Sequence, residues 1–428
     1  VTHFLILVTA LLRLCFGANS GLANDEAYYW CWSRHLDYWY FDQGPGIAWS
    51  LALCTALFGN TALAIRLCPF LYGIGSLCFL YAFVRNAADR RTAHWTIVLA
   101  SVAPIVSLGG VIATYDAPQV FFWCACLWSL EKALSGQRSH WLVCALLCLL
   151  GSFSKVPMVF FPLGALLAMA TSPQWRPQLR SPWPWMAGLV GIGGLVAMLI
   201  WDFRHEHFYT LHTANLGRRH VDAAPGRWVA DLFAGQAASL GPGMFVAELL
   251  ALAMLLRNKP APFPISDTLR RFALAFTLPM LVVCVINATR SKLEINWPIS
   301  AHMTGIALVA AWWAHLWSQG KRGMVVVLMA PSVVIQAIAW YPEVITFTGY
   351  RPSGRAVSKL TENRGWEKIE AAMREEIAVL QRETGKTPFR AAVNYKVSAM
   401  LTFLAPNQQE TACLFPGTRR NQFSLWTK

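Results

Sequence analysis

Long apolar runs alternate with short polar connections along this chain. The apolar runs fall near 3 to 18, 67 to 84, 93 to 112, 118 to 134, 141 to 153, 156 to 171, 184 to 201, 242 to 256, 272 to 287, 299 to 317 and 323 to 340. Read as helices, they predict eleven membrane spans. Several are shorter than the roughly 20 residues that a perpendicular span needs, so they must borrow flanking residues or be irregular. A further run, 46 to 58, is short and bracketed by Pro45, Gly46 and Gly59, and is expected to lie along the interface or to re-enter. The first run has almost no basic residue ahead of it, carries Arg13 and lacks a small-x-small cleavage site, which predicts a retained helix rather than a signal peptide.

Composition turns this pattern into a class. With 56% hydrophobic and 14% charged residues, 428 residues hold far more apolar sequence than one soluble core needs. The chain is expected to be a polytopic membrane protein. Its formal charge of +14 sits in short clusters: Arg85, Arg90 and Arg91; Lys132 and Arg138; Arg176 and Arg180; Arg257, Lys259, Arg270 and Arg271; Lys321 and Arg322. Every second connection carries one, which is the cytoplasmic signature, and no basic stripe with interleaved aromatics suggests nucleic acid. The opposite connections, 19 to 66, 113 to 117, the corner at Lys155, 202 to 241, 288 to 298 and the tail from 341, then lie outside the cytoplasm. They hold Asp25, Glu26, Asp37, Asp42, Asp116, Asp202, Asp222 and Glu294.

Two domains follow, 1–340 in the membrane and 341–428 soluble. The tail pattern predicts an amphipathic helix over 367–383, a strand over 389–395, a short helix over 396–403 and a strand near 411–414. So small an α/β unit is expected to rest on the membrane part. It is rich in cations, among them Arg351, Arg355, Arg390, Lys396, Arg419 and Arg420, as a solvated charge-mixed face or as a surface that draws in an anionic partner. Of the 11 cysteines most fall in apolar runs, where they act as small hydrophobes, and there is no CxxC pair. Cys31 and Cys413 share the outer side, where a disulfide is chemically open.

The most informative stretch is Asn24-Asp25-Glu26-Ala27-Tyr28-Tyr29-Trp30. Carboxylates so close to a bilayer are costly to dehydrate, so they are expected to line an aqueous cavity. Asn24 is a good N-cap, and Asp25 and Glu26 then occupy a first helical turn. Helix neighbours point about 100° apart, so one carboxylate can face a cavity while the other holds the loop. Asp25 is the choice for the chemistry. Asp116 sits in a tight turn before Pro118, as an N-cap or a substrate contact. Lys292, Lys155 and Arg290 lie at outer membrane edges, where snorkelling or topology anchoring is the ordinary role, one that suits Arg290 best. His205, His207, His212 and His220 crowd one outer loop with Arg218 and Arg219. His205-x-His207 allows a metal reading without any structural-zinc spacing, and His207, His212 and His220 read best as interfacial residues.

The acidic motif, with Tyr40-Phe41-Asp42-Gln43-Gly44-Pro45-Gly46-Ile47-Ala48-Trp49, Phe58-Gly59-Asn60 and Arg66-Leu67, resembles the first outer loop of bacterial lipid-carrier-dependent GT-C glycosyltransferases. That group includes the aminoarabinose transferases of lipid A and the protein O-mannosyltransferase-like membrane enzymes. The resemblance continues in Thr114-Tyr115-Asp116-Ala117-Pro118, Ser154-Lys155, Trp201-Asp202 with His205, Ser291-Lys292, Asn296-Trp297-Pro298, and Asn421-Gln422-Phe423 with Trp426. It implies an all-α GT-C membrane fold with a small periplasmic α/β domain in the bacterial inner membrane. It also implies a polyprenyl (undecaprenyl) phosphate sugar as donor, a periplasmic glycolipid or glycan acceptor such as lipid A, and inversion at the transferred sugar. Asp25, Glu26 and Asp116 would be catalytic, Lys292, Lys155 and Arg290 would bind the donor phosphate, and Tyr28, Asp42, Gln43, His205, Asn296 and Trp297 would bind substrate. No Walker or Rossmann fingerprint is present, in keeping with a donor that is not a nucleotide. No motif demands a cofactor, although a divalent metal stays open. Two departures stand out: Asp42-Gln43-Gly44-Pro45 lacks the Lys or His of the family pattern, and Asp202 replaces the usual Asn. A transporter or flippase of lipid-linked sugars is the rival, but it predicts internal pseudo-symmetric halves that the sequence lacks. A protein O-glycosyltransferase is a second alternative.

Overall fold

The structure, a computed structural model, describes residues 2–19, 21–218, 226–257, 260–341, 364–414 and 420–426. Arg219, His220, Asp222, Lys259, Arg351, Arg355 and Arg419 lie outside these residues, as do the side chains of 216–218. Each of the eleven apolar runs is helical. They correspond to α1 (Thr2–Asn19), α4 (Ala62–Ala87), α5 with α6 (Arg90–Val102, Pro104–Gly109), α7 (Asp116–Leu134), α8 (Ser139–Ser152), α9 (Phe160–Thr171), α10 with α11 (Pro182–Gly191, Gly193–Arg204), α14 (Pro242–Arg257), α15 with α16 (Asp267–Phe276, Leu278–Ala288), α17 (Ile299–Ser318) and α18 (Arg322–Trp340). Between them lie the connecting helices α2 (Asn24–Arg34), α3 (Gly46–Phe58), α12 (Phe208–Arg218) and α13 (Arg227–Leu240).

Span irregularity is a main finding. Among the described residues, five helices are long and apolar enough to cross a membrane, or six if one bent pair counts as a span. The eleven expected runs include shorter and broken helices for local reasons. Pro104 has no N–H to donate and holds Ala103 extended, which separates α5 from α6. α13 and α14 meet at 111° around Gly241, whose φ of +94° suits glycine and whose missing Cβ leaves room for Ser332. Ser332 Oγ donates to the Leu240 carbonyl at 3.0 Å, so a backbone acceptor exposed by the break is satisfied inside protein. The run 46 to 58 forms α3, whose 13 residues rise only about 20 Å.

Between membrane helices the lipid removes most of the hydrophobic driving force, and close contact must hold the bundle. Gly164 admits Phe276, and Trp123 meets Phe161 and Phe276 edge-on at 5.2 and 6.0 Å. α17 is the most enclosed candidate span, 89% buried in its apolar window. Most of its faces touch protein rather than lipid, so it can carry polar groups.

In the tail the amphipathic helix is α19 (Trp366–Thr384) and the short helix is α20 (Tyr395–Leu404). The strands shrink to β1 (Ala391–Ala392) and β2 (Ala412–Cys413), paired in parallel with Ala391 opposite Ala412. A last turn of helix, α21, covers Phe423–Trp426. Ala399, Met400 and Phe423 share one buried cluster with Tyr28, Trp30 and Tyr40 of the first outer loop, and Phe403 meets Trp30 edge-on at 5.1 Å. Cys31 and Cys413 are both buried in that cluster and both are free thiols.

Candidate active site

Glu26 organises the connection between α1 and α4. Its carboxylate accepts the Ala23 N–H at 2.8 Å, half of a capping box, and the Ala113 N–H at 2.9 Å. It also pairs with Arg66 at 3.0 Å, with no solvent exposure at Glu26. Arg66 donates in turn to the carbonyls of Gly17 and Gly21, both at 2.6 Å. Glu26 thus fastens α1, α2, α4 and the turn before α7 to one point, and it does not line the cavity. Asn24 is not the cap: the helix starts at Asn24 itself, with extended Ala23 in the capping position, because the Glu26 side chain already holds the Ala23 N–H.

One residue earlier, Asp25 faces the other way. It lines a cavity of about 800 Å³ enclosed by the outer connections and by α6, α13, α18 and α20. Its Oδ1 pairs with Lys396 Nζ of the tail at 3.0 Å, both groups partly open to solvent. The two adjacent carboxylates therefore split as their helix geometry predicts, one to a cavity and one to the scaffold.

A second, buried cluster lines the same cavity. Asp116 accepts from Lys155 Nζ at 2.7 Å and from Asn296 Nδ2 at 2.5 Å, joining three outer turns. It is the first residue of α7, with Tyr115 in the capping position, so its carboxylate serves the lysine rather than the cap. Lys155 is 1% exposed and its Nζ lies 5.0 Å from the Tyr115 ring centre, a cation–π contact. The corner that carries it is pressed against Gly44-Pro45-Gly46: Gly46 N donates to the Phe153 carbonyl at 3.0 Å, and a side chain at Gly44 would collide with that carbonyl. The departure from the family pattern in Gln43-Gly44-Pro45 thus accompanies a close backbone approach beside Lys155.

Asp42 forms the third polar corner. Tyr28 Oη donates to it at 2.9 Å while accepting the Gln422 N–H at 2.9 Å, and His212 Nε2 lies 3.4 Å from its other oxygen. Burial, then the charge of Asp42, pushes the Tyr28 phenol well above its usual range, and burial does the same to Tyr29 and Tyr115. All three remain hydrogen-bond donors at neutral pH.

The remaining expected residues divide. Gln43, Asn296 and Trp297 line the cavity. Lys292 and Arg290 are exposed and are not among its lining residues, so of these three cations it is Lys155 that lines the cavity. His205 is not a lining residue either. It stacks on Trp201 at 4.0 Å with Nδ1 on the Trp201 carbonyl, ending α11, whereas His212, read as interfacial, lies in the cavity. Asp202 caps α12, accepting the N–H groups of Tyr209 and Thr210 at 2.8 and 3.1 Å, a task for which a carboxylate suits as well as an amide. Among the described residues no three His, Cys, Asp or Glu side chains gather as metal ligands.

Sequence reading missed Tyr395 as a cavity residue, and it missed Glu248 and His302 entirely. The last two were findable, since an ionisable residue inside an apolar span is a signal in its own right.

Comparison with known proteins accords with this geometry. Residues 42–201 match the family model described as dolichyl-phosphate-mannose-protein mannosyltransferase. The chain is 26% identical over 354 residues to a lipid A galacturonosyltransferase, RgtD, of Rhizobium johnstonii, covering 81% of this chain and 72% of that one. In fold it matches ArnT from Cupriavidus metallidurans bound to undecaprenyl phosphate, with a TM-score of 0.62, 17% identity and coverage of 99% and 87%. It also matches the Archaeoglobus fulgidus oligosaccharyltransferase, with a TM-score of 0.55, 10% identity and coverage of 95% and 64%. Apolar helices and fold together define a multi-pass membrane protein with the GT-C architecture. Within that class the chain is similar to ArnT in fold and to the lipid A galacturonosyltransferase RgtD in sequence.

Proposed function

We propose that the chain moves one sugar from a polyprenyl-phosphate donor to a glycolipid acceptor of the lipid A kind, at the periplasmic face of the bacterial inner membrane. The observation that carries this reading is the two-sided cavity. Asp25, Asp42, Asp116 and Lys155 form its polar side, while Ile105 and Leu108 of α6 and Ile335 and Ala339 of α18 form an apolar wall. A lipid phosphate needs both. The names of the sequence relative and of the liganded structural relative support the same donor and acceptor chemistry.

In this reading the acceptor oxygen attacks the anomeric carbon as the bond from that carbon to the phosphate oxygen breaks. The acceptor proton passes to Asp25, and the electron pair leaves with the polyprenyl phosphate, whose added charge Lys155 meets. A single in-line displacement inverts the anomeric centre. If the acceptor is itself a phosphate, it brings no hydroxyl proton and Asp25 orients it. The soluble residues 341–428 are part of the proposal as a tail domain that closes the cavity with Tyr395 and Lys396.

The test is reconstitution in lipid with undecaprenyl-phosphate sugars and lipid A, read by mass spectrometry. Mass gain on lipid A with stoichiometric release of undecaprenyl phosphate is expected. Lipid-linked sugar crossing the bilayer without transfer would replace the proposal with the flippase reading.

A further inference from the structure

Behind the cavity a polar chain runs into the membrane core. His302 of α17 and Glu248 of α14 are both fully buried, with Nδ1 3.0 Å from the Glu248 carboxylate. On the other side His302 Nε2 lies 2.9 Å from Gln236 Oε1 of α13. Gln236 is also buried, and its Nε2 donates to the Ile295 carbonyl at 3.0 Å, which fixes the amide orientation. Both ring nitrogens of His302 then face acceptors. Gly305 has no side chain because the Glu248 carboxylate fills that space.

The far end of this chain is the candidate active site. Ile295 lines the cavity, and the next residue, Asn296, is the one that donates to Asp116 beside Lys155. Gly235 brings α13 close to the Ile295 side chain, so the backbone of the 294–297 turn is gripped from one helix by a hydrogen bond and a contact. Buried ionisable pairs add little net stability over apolar packing, and their best-attested use is to fix one arrangement. In a lipid-spanning bundle they mark function by default.

We propose that Gln236, oriented by the His302–Glu248 pair, is a positioning residue that sets Asn296 and through it the Asp116–Lys155 phosphate clamp. The clamp's role rests on the proposed function, whereas the hold on the 294–297 turn does not. The experiment uses the full chain in nanodiscs, comparing wild type, Gln236→Met, which keeps volume but makes neither bond, and Lys155→Met. Two readouts are taken per folded molecule: hydrogen exchange of the segment from Glu294 to Ile299, and binding of undecaprenyl phosphate.

In Gln236→Met, exchange of that segment should rise by about tenfold or more and binding should weaken about tenfold, with exchange in α14 and α17 unchanged. Unaltered exchange of the turn overturns the inference whatever the donor is. Faster exchange with unaltered binding, while Lys155→Met loses binding, overturns the link from turn to clamp. If Lys155→Met binds as wild type does, the phosphate assignment fails, and the exchange result still decides whether Gln236 positions the turn. A purely structural role would lower the yield of folded protein and leave both readouts of the surviving fraction as in wild type.

Discussion

Asp116 and Lys155 meet at 2.7 Å although α7 and α8 separate them in sequence, so a whole helical hairpin serves to bring one carboxylate and one amine to the same outer corner. Asn296 completes the corner from the opposite half of the chain. In the proposed reaction a cation paired this closely and only 1% exposed meets the charge that grows on the leaving phosphate with little reorganisation.

Lys155 should therefore matter far more than Lys292. Lys155→Met should lower donor use by about a hundredfold and, by leaving a buried carboxylate without its cation, destabilise the fold by about 3 kcal/mol. Lys155→Arg should recover part of the activity, since it keeps the charge in a different geometry. Lys292→Ala, at an exposed position, should change donor KM less than twofold. Steady-state kinetics and thermal melting of the four proteins check this, and a larger loss at Lys292 than at Lys155 would return the phosphate to the 288–298 connection.

The adjacent carboxylates should fail in opposite ways. Asp25→Asn removes only a solvent-screened pair with Lys396, worth about 0–1 kcal/mol, yet it should cut turnover by about a hundredfold if Asp25 takes the acceptor proton. Glu26→Gln should instead remove the counter-charge of Arg66, which keeps its bonds to the Gly17 and Gly21 carbonyls, and cost about 3 kcal/mol, with near-normal turnover from the molecules that remain folded. Melting curves beside active-fraction kinetics separate the two, and equal behaviour would contradict the division of labour.

His212 and His205 make a third contrast. His212→Ala removes the neighbour of Asp42 inside the cavity and should raise a substrate KM by about tenfold, the scale of a hydrogen bond to a charged group. His205→Ala unstacks a ring from Trp201 outside the lining and should leave KM within about twofold. A reversal in the measured KM values would move the substrate to the α11 end of the loop.

Alkaline pH tests the buried tyrosines. Tyr28, Tyr29 and Tyr115 are held well above the ordinary phenol pKa, and Tyr40 and Tyr209 are pushed up to about 12, in each case chiefly by burial. In the unfolded chain these phenols lose their protons near pH 10, while the folded chain keeps them. The unfolded state then binds fewer protons, so stability present below about pH 10 falls as pH rises toward the folded pKa values. Melting temperature should decline from about pH 10 upward, and Tyr28→Phe with Tyr29→Phe should flatten the decline. An unchanged slope in the double variant would show that other groups carry the alkaline loss.

Local chemistry was legible along the chain. Each of the eleven apolar runs marked a helical region, because desolvation of a backbone in lipid leaves few alternatives to helix, and the tail's helices and strands appeared where periodicity put them. The division between Asp25 and Glu26 was also readable, since a 100° step along a helix is a local property. Partner choice was not. Whether Lys155 or Lys292 enters the cavity, and whether His205 or His212 meets Asp42, depends on which outer connections pack together, and each of these residues has the same interfacial signature in one dimension. Breaks at Pro104 and Gly241 made the span count equally hard to read, because a broken helix keeps its composition while changing direction. Glu248, His302 and Gln236 show the limit most plainly: they come from three helices, and only the closure of the bundle brings their polar atoms within 3.0 Å and makes their burial affordable by satisfying each of those atoms with another.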